Sequence, residues 1–163
     1  MRAVVVLPTY NERDNIEPYL RSLRSVSADI DVVVVDDDSP DGTADLARSL
    51  ADELGGVTVL QRSAKDGLGS AYRAGFRQVL EANPAYEVVL SMDADLSHDP
   101  GVIPAMLALI EGGADAVIGS RYVRGGGTTD WPVRRQLLSK WGNAYTRAVL
   151  RLTPRDCTSG FRA

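Results

Sequence analysis

Tyr86-Glu87-Val88-Val89-Leu90-Ser91-Met92-Asp93-Ala94-Asp95-Leu96-Ser97-His98-Asp99-Pro100 carries more structural information than any other run of this chain. Residues 86–92 read as a buried strand, which leaves Asp93 and Asp95 at its carboxyl end. On an extended backbone residues i and i+2 point the same way, so the two carboxylates can converge on one object. Like charges that close are unfavourable unless a cation lies between them. A hard divalent ion, Mg²⁺ or Mn²⁺, suits the pair, because it takes carboxylate oxygens and keeps positions open for substrate phosphates. Taken alone, the triplet reads as a polar loop with solvated acids, and its context moves the balance.

Outward from this run, strand and helix patterns alternate. On the amino-terminal side lie a β-branched run over 3–7 ending at Pro8, apolar strands over 31–35 and 57–60, and helical periodicity over 68–82. A helix is expected from about Asp14, whose carboxylate can cap it while Glu17 completes a capping box. Ser39-Pro40 is expected to open another, with proline in the first turn where its missing N–H costs nothing. On the carboxyl side follow a helix over 100–111 and a strand over 114–119. Short all-apolar strands each followed by a helix predict an α/β fold, a mostly parallel sheet with helices on both faces. Ligands of such sheets bind outside the carboxyl ends of the strands. Pro8-Thr9-Tyr10-Asn11-Glu12, Asp36-Asp37-Asp38 and Asp93-Ala94-Asp95 all fall there. Three polar clusters on one rim are hard to explain as core or as random surface.

The length of 163 residues predicts one domain, residues 1–163. Cys157 is the only cysteine, so no internal disulfide forms and a reducing cytosol is expected; the residue reads as a small apolar side chain near a turn. No apolar run approaches the ~20 residues that span a bilayer, and Met1-Arg2 leads into the first strand without a signal-peptide pattern. The net charge of −4 hides an asymmetry: residues 1–120 hold 9 Lys/Arg and 20 Asp/Glu, residues 121–163 hold 9 and 2. An acidic body with a basic tail predicts two tasks, binding a cation and meeting an anion or anionic surface. Nucleic acid is not an expected partner, because the acidic body repels phosphate backbones and no recognition module is visible.

Gly125-Gly126-Gly127-Thr128-Thr129 reads as a mobile loop rather than a domain linker. Beyond it, 133–152 has helical periodicity, with Leu137, Leu138, Trp141, Tyr145, Val149 and Leu152 on or near one face. Arg134, Arg135, Lys140, Arg147 and Arg151 flank them. This C-terminal amphipathic helix either lies in a membrane interface or packs on its own domain with a solvated basic face.

Five blocks, V-V-V-L-P-T-Y-N-E at 4–12, V-V-D-D-D-S-P-D-G-T at 34–43, G-L-G-S-A-Y at 67–72, M-D-A-D-L-S-H-D-P at 92–100 and G-S-R-Y-V at 119–123, in this order resemble glycosyltransferase family 2. Within it they are most similar to the polyprenyl-phosphate (dolichyl-phosphate) mannose synthases. The resemblance implies a GT-A, Rossmann-like glycosyltransferase domain, with 1–120 binding nucleotide sugar and metal and 121–163 facing the acceptor phosphate and membrane. It implies donor contacts at Pro8, Tyr10, Glu12, Val35, Asp37, Asp93 and Ala94. It places the metal at Asp93 and Asp95, with Ser97 in a third position where some members carry Gln and where a water can intervene. Arg121, Arg135 and Ser139 resemble the residues that hold the acceptor phosphate; Arg135 and Ser139 are one helical turn apart, and guanidinium forks suit phosphate. Arg121 reads alternatively as a structural ion-pair partner of a rim acid. Lys65 falls at a basic loop position near the donor, although Asp66 replaces an apolar residue there, and His98 reads as a supporting or capping residue.

The implied reaction moves mannose from GDP-mannose to a polyprenyl phosphate with inversion, at the cytoplasmic face of a membrane. Asp93, Asp95 and Arg121 would carry the catalysis, and Mg²⁺ or Mn²⁺ is the implied cofactor. A UDP-sugar-dependent transferase of the same family, or a non-catalytic nucleotide-sugar-binding fragment, are the alternatives. Family members continue past the T-S-G-F-R block at 158–162 into a further basic segment and membrane-proximal helices, so the chain reads as a fragment or a natural short form.

Overall fold

The computed structural model describes residues 1–82, 86–123, 126–127 and 132–163. Gly125, Thr128 and Thr129 of the glycine-rich break lie outside the described residues. Four strands, β1 (Ala3–Thr9), β2 (Ile30–Asp36), β3 (Val57–Gln61) and β4 (Val88–Ser91), form a parallel sheet in the order β3-β2-β1-β4. Five helices accompany them: α1 (Arg13–Val26), α2 (Thr43–Leu54), α3 (Leu68–Ala82), α4 (Ile103–Glu111), entered by a 3₁₀ turn over Pro100–Val102, and α5 (Val133–Leu150).

Valine-rich strands with period-2 side chains supply both layers of the core. Val5, Leu7, Val32, Val34 and Leu90 face Ile16, Leu20 and Leu23 of α1, Leu50 of α2, and Ile103 and Met106 of α4. Val4, Val6, Val33 and Val35 face Ala71 and Val79 of α3. Gly75 allows that second layer to close: a Cβ there would stand 2.4 Å from Val6 Cγ1 and 2.9 Å from Val35 Cγ2. Pro8 is tolerated in a central strand for a directional reason. The Val6 carbonyl accepts from Met92 N–H, so even-numbered residues of β1 face β4, and Pro8 lies beyond the last paired residue of that strand.

The α/β expectation holds, with four local corrections. Helix α1 begins at Arg13, so Asp14 stands inside the first turn, where its charge suits the helix dipole, and Glu17 pairs with Arg21 at 2.9 Å rather than completing a capping box. Helix α2 begins at Thr43, because Asp41 accepts from Thr43 N–H and Oγ1 and ends the turn containing Pro40. Strand β4 is shorter than the apolar run 86–92. Finally, 114–119 is not a parallel strand. Ala114 N–H closes onto Leu109 O at the end of α4, and only 117–119 is extended, antiparallel to the chain terminus. That terminus is the sheet's unexpected member. Arg162 exchanges both backbone hydrogen bonds with Ser91, at 2.9 and 3.1 Å, while Ala163 and Phe161 pair with Val117 and Gly119. Residues 160–163 thus lie between β4 and 117–119, covering an edge that would otherwise expose unpaired backbone.

Candidate active site

The carboxyl ends of β1, β2 and β4 bring the three polar clusters onto one rim. At its centre Met92 (0% exposed) and Ala94 (3%) are buried, while Asp93 is half-buried and Asp95 exposed. Asp93 is oriented on three sides. Tyr72 Oη, from α3, donates to its Oδ1 at 2.9 Å and lies 3.0 Å from the Met92 carbonyl. His98 Nδ1 accepts from Asp93 N–H at 3.0 Å, which puts the imidazole proton on Nε2, 3.9 Å from Asp93 Oδ2. Gly160 closes the third side: a Cβ there would stand 2.8 Å from Asp93 Oδ2. Asp95 Oδ1 accepts from Ser97 N–H at 3.0 Å, which curls the loop. Leu96, between the acids and Ser97, takes φ 61°, a left-handed conformation that costs a bulky residue about 1–2 kcal/mol.

The field of this pair reaches its neighbours. Burial first, then the negative charge of Asp93, pushes the Tyr72 hydroxyl up, so it remains a donor. Burial lowers His98, opposed by Asp93 and Asp95 and assisted by Arg121, so the ring is held neutral. Among the described residues no group of three or more His, Cys, Asp and Glu side chains gathers. A hard cation held at Asp93 and Asp95 would take two carboxylates and would have to fill its shell with phosphate and water oxygens.

The β2 end of the rim is built around Asp36 and Asp37. Asp36 is fully buried and accepts from Thr9 Oγ1 at 2.8 Å and from Ser39 N–H and Oγ at 2.9 and 2.6 Å, tying β1 to the loop after β2. Asp37, 5% exposed, pairs with Arg62 at 2.6 Å, and Arg62 also donates to Ser70 Oγ at 2.8 Å. Tyr10 lies on the same rim with the Lys65 ammonium 3.6 Å from its ring centroid, a cation–π contact that ties the loops after β1 and β3. Glu12 accepts from Asn15 Nδ2 at 2.8 Å and sends its own N–H to Thr43 Oγ1. Pro8 and Val35 are buried register partners at the strand ends, and the Val35 side chain is covered by α3.

On the other side of Asp93, Arg121 forms a forked pair with Asp156: Nε to Oδ2 and Nη2 to Oδ1, both 2.8 Å. Of the two readings of Arg121, the ion pair is present, with Asp156 in place of a rim acid. Burial alone would raise Asp156, but the Arg121 guanidinium and the backbone N–H groups of Arg121 and Thr158 hold it at about 2. Tyr122 Oη and Ser139 Oγ share a hydrogen bond of 2.7 Å, which places Ser139 beside the 121–122 turn; Arg135, one turn earlier on α5, is exposed. Arg62, Tyr72, Asp156 and Gly160 are site residues that sequence reasoning missed. Arg62 and Tyr72 had a usable signal, one just past the end of β3 and the other inside the G-L-G-S-A-Y block.

Against known proteins, the whole chain finds relatives. It is 47% identical over 163 residues to the undecaprenyl-phosphate mannosyltransferase of Micrococcus luteus, covering 100% of this chain and 66% of that protein, so it spans slightly less than two thirds of that relative's length. The solved mannosyltransferase PcManGT from Pyrobaculum calidifontis, in complex with GDP-Man and Mn²⁺, is 32% identical over 58% of this chain and 27% of that one, with a TM-score of 0.50. Glucosyl-3-phosphoglycerate synthase from Mycobacterium tuberculosis is 22% identical, covers 99% of this chain and 54% of that one at a TM-score of 0.68, and shows the GT-A fold. The model for glycosyl transferase family 2 matches residues 4–163, and the chain belongs to that family.

Proposed function

We propose that this domain transfers mannose from GDP-mannose to the phosphate of a polyprenyl lipid, giving polyprenyl-phosphate β-mannose and GDP. The observation that carries the reading is 47% identity, along the whole of this chain, to an undecaprenyl-phosphate mannosyltransferase. The rim carboxylate pair and the basic carboxyl-terminal part support it. The bond between the mannose anomeric carbon and the GDP oxygen breaks, and a phosphate oxygen of the lipid forms the new bond from the opposite face. That nucleophile is already an anion, so the site needs no strong general base and relies on position and charge.

In this reading Asp93 and Asp95, with Ser97 directly or through water, would hold Mg²⁺ or Mn²⁺. Such an ion would supply neutralisation of the departing diphosphate charge. Tyr72 and His98 keep Asp93 oriented. Asp37 offers its carboxylate to a base N–H, Arg62 holds it in register, and Val35 contributes its main chain at the same edge. Tyr10 and Glu12 line the donor, and Pro8 and Ala94, whose side chains are buried, would meet it through their main chain. Arg121, Arg135 and Ser139 align the acceptor phosphate, and the Asp156 fork fixes the Arg121 guanidinium plane. Among the described residues no helix is long and apolar enough to cross a membrane. Helix α5 instead exposes Leu137 (62%), Leu138 (69%) and Trp141 (68%), which supports reaching the lipid acceptor at a membrane surface; that this is the cytoplasmic side is part of the proposal.

Calorimetric titration with GDP-mannose and with UDP-glucose, each with and without Mn²⁺, tests this. Metal-dependent binding of GDP-mannose that disappears in Asp95→Ala is expected. Preference for UDP-glucose, or metal-dependent binding unchanged in Asp95→Ala, would sink the reading.

A further inference from the structure

A cavity of about 260 Å³ lies between α5 and the loop that follows it, lined by Tyr122, Lys140, Asn143, Ala144, Arg147 and Arg155. It is smaller than the ~300–1,000 Å³ of sites that enclose whole small molecules, and is the size of a headgroup. Among the described residues that line it, three are cations and none is an acid. Asp156, the acid next to Arg155, is committed to Arg121. Arg147 Nε is buried without a hydrogen-bond partner, an unmet donor on a residue that lines the cavity. The walls are built rather than incidental. Asn143, 5% exposed, donates to the Arg155 carbonyl and accepts from Cys157 N–H at 2.8 Å, which clamps the loop onto the helix. Tyr122 is held by Ser139.

The position of the cavity on α5 identifies its occupant. Successive residues turn by about 100°, so Val133, Leu137, Trp141 and Tyr145 share an arc that is exposed to solvent. Asn143 lies on the opposite, buried flank. Lys140 and Arg147 fall on the border between the two. A helix lying in a membrane with that apolar arc inward carries its border residues at the level of the headgroups.

We infer that the Lys140–Arg147–Arg155 cavity binds the phosphate of an anionic membrane lipid other than the acceptor, docking α5 beside the acceptor site. The inference rests on the reading that this domain works on a lipid at a membrane surface. Phosphatidylglycerol is the probe, since its phosphodiester offers two charged oxygens to the three cations.

Co-sedimentation of the full chain with phosphatidylcholine vesicles, with and without a quarter phosphatidylglycerol, tests it. Neither GDP-mannose nor polyprenyl phosphate is present, so the result stands apart from whether mannose is transferred; failure of donor binding leaves this test intact. Binding is expected to depend on phosphatidylglycerol. Lys140→Gln with Arg155→Gln, two exposed side chains whose loss spares the fold, is expected to weaken it about 25-fold, from about fivefold per cation at an anionic surface. Arg147→Gln alone is expected to cost at least as much as either. Arg134→Gln, on the exposed arc and outside the cavity, is the control and is expected to cost less. Equal binding to both vesicles, or equal loss in Arg134→Gln, overturns the site in favour of unspecific attraction. An NMR titration separates the sources of phosphate: glycerol 3-phosphate and inorganic phosphate are expected to move the Asn143 and Arg147 side-chain signals only weakly compared with the vesicles. Saturation by inorganic phosphate at the same concentration overturns the lipid assignment.

Discussion

Replacing Asp156 by asparagine tests the connection that holds the carboxyl-terminal part of the chain to the 119–123 turn. The Asp156 side chain is 0% exposed and Arg121 22%. Its two oxygens accept from Arg121 Nε, Nη2 and N–H and from Thr158 N–H and Oγ1. Asparagine keeps the volume but turns an amide donor toward one of those donors and leaves the guanidinium without its counter-charge. Breaking a buried pair costs about 3–5 kcal/mol. Part of this is retained here, because Arg121 keeps some solvent and its 2.6 Å bond to Thr158 Oγ1. Independently, the fall of Asp156 from 3.8 to about 2 on folding corresponds to about 2 kcal/mol. The two routes agree on about 2–3 kcal/mol at pH 7, a urea midpoint lower by about 1–2 M. The sign with pH follows from the lowered folded value: the stabilisation is complete above about pH 4 and is lost as pH falls toward 2. The gap between wild type and Asp156→Asn in urea unfolding should therefore close over that interval. Replacing both partners, Arg121→Met with Asp156→Leu, should cost less than the single change. A gap below about 0.5 kcal/mol at pH 7, or one that stays constant down to pH 2, would refute the reasoning.

Tyr72→Phe removes the hydroxyl that orients Asp93; Mn²⁺ affinity measured by titration should fall about 10–100-fold while stability changes by about 1 kcal/mol, and an unchanged affinity would remove Tyr72 from the site. Gly160→Ala puts a methyl 2.8 Å from Asp93 Oδ2, so it should weaken Mn²⁺-dependent donor binding by about tenfold or more; normal binding would mean that the terminal strand gives way instead. Gly75→Ala overpacks the layer between α3 and Val6 and should lower stability by about 1–3 kcal/mol in thermal unfolding, leaving metal affinity alone; a neutral result would place α3 further from the sheet.

Much of the frame was legible because it is written in local periodicity. The valine-rich runs over 3–7 and 31–35 could bury both faces only as central parallel strands, and the helical spacing over 68–82 and 133–152 matched α3 and nearly matched α5. Capping was less legible. Asp14 with Glu17 and Ser39 with Pro40 satisfied sequence rules for helix starts, yet Thr43 Oγ1 accepting from Glu12 N–H and Asp41 accepting from Arg13 N–H join the two helix entrances across 28 residues or more. Such contacts displace a local cap because they satisfy the same backbone groups from a distant loop. The run 114–119 was misplaced for a related reason: its apolar character marked burial, while its direction depended on residues 160–163 arriving beside β4.

By itself the sequence determined the alternation of strands and helices, the parallel sheet that follows from it, and the collection of Tyr10, Asp37, Asp93 and Asp95 at the carboxyl rim, since each depends only on patterns a few residues long. Tertiary structure alone decided the partners: Arg62 for Asp37 across 25 residues, Tyr72 for Asp93 across 21, Asp156 for Arg121 across 35. It also decided that residues 160–163 pair beside β4 and close against Asp93. The physical reason is that a charge or a strand edge has no preferred partner in sequence. Partners are set by which groups the packed layers bring within hydrogen-bonding distance after the strands have paired.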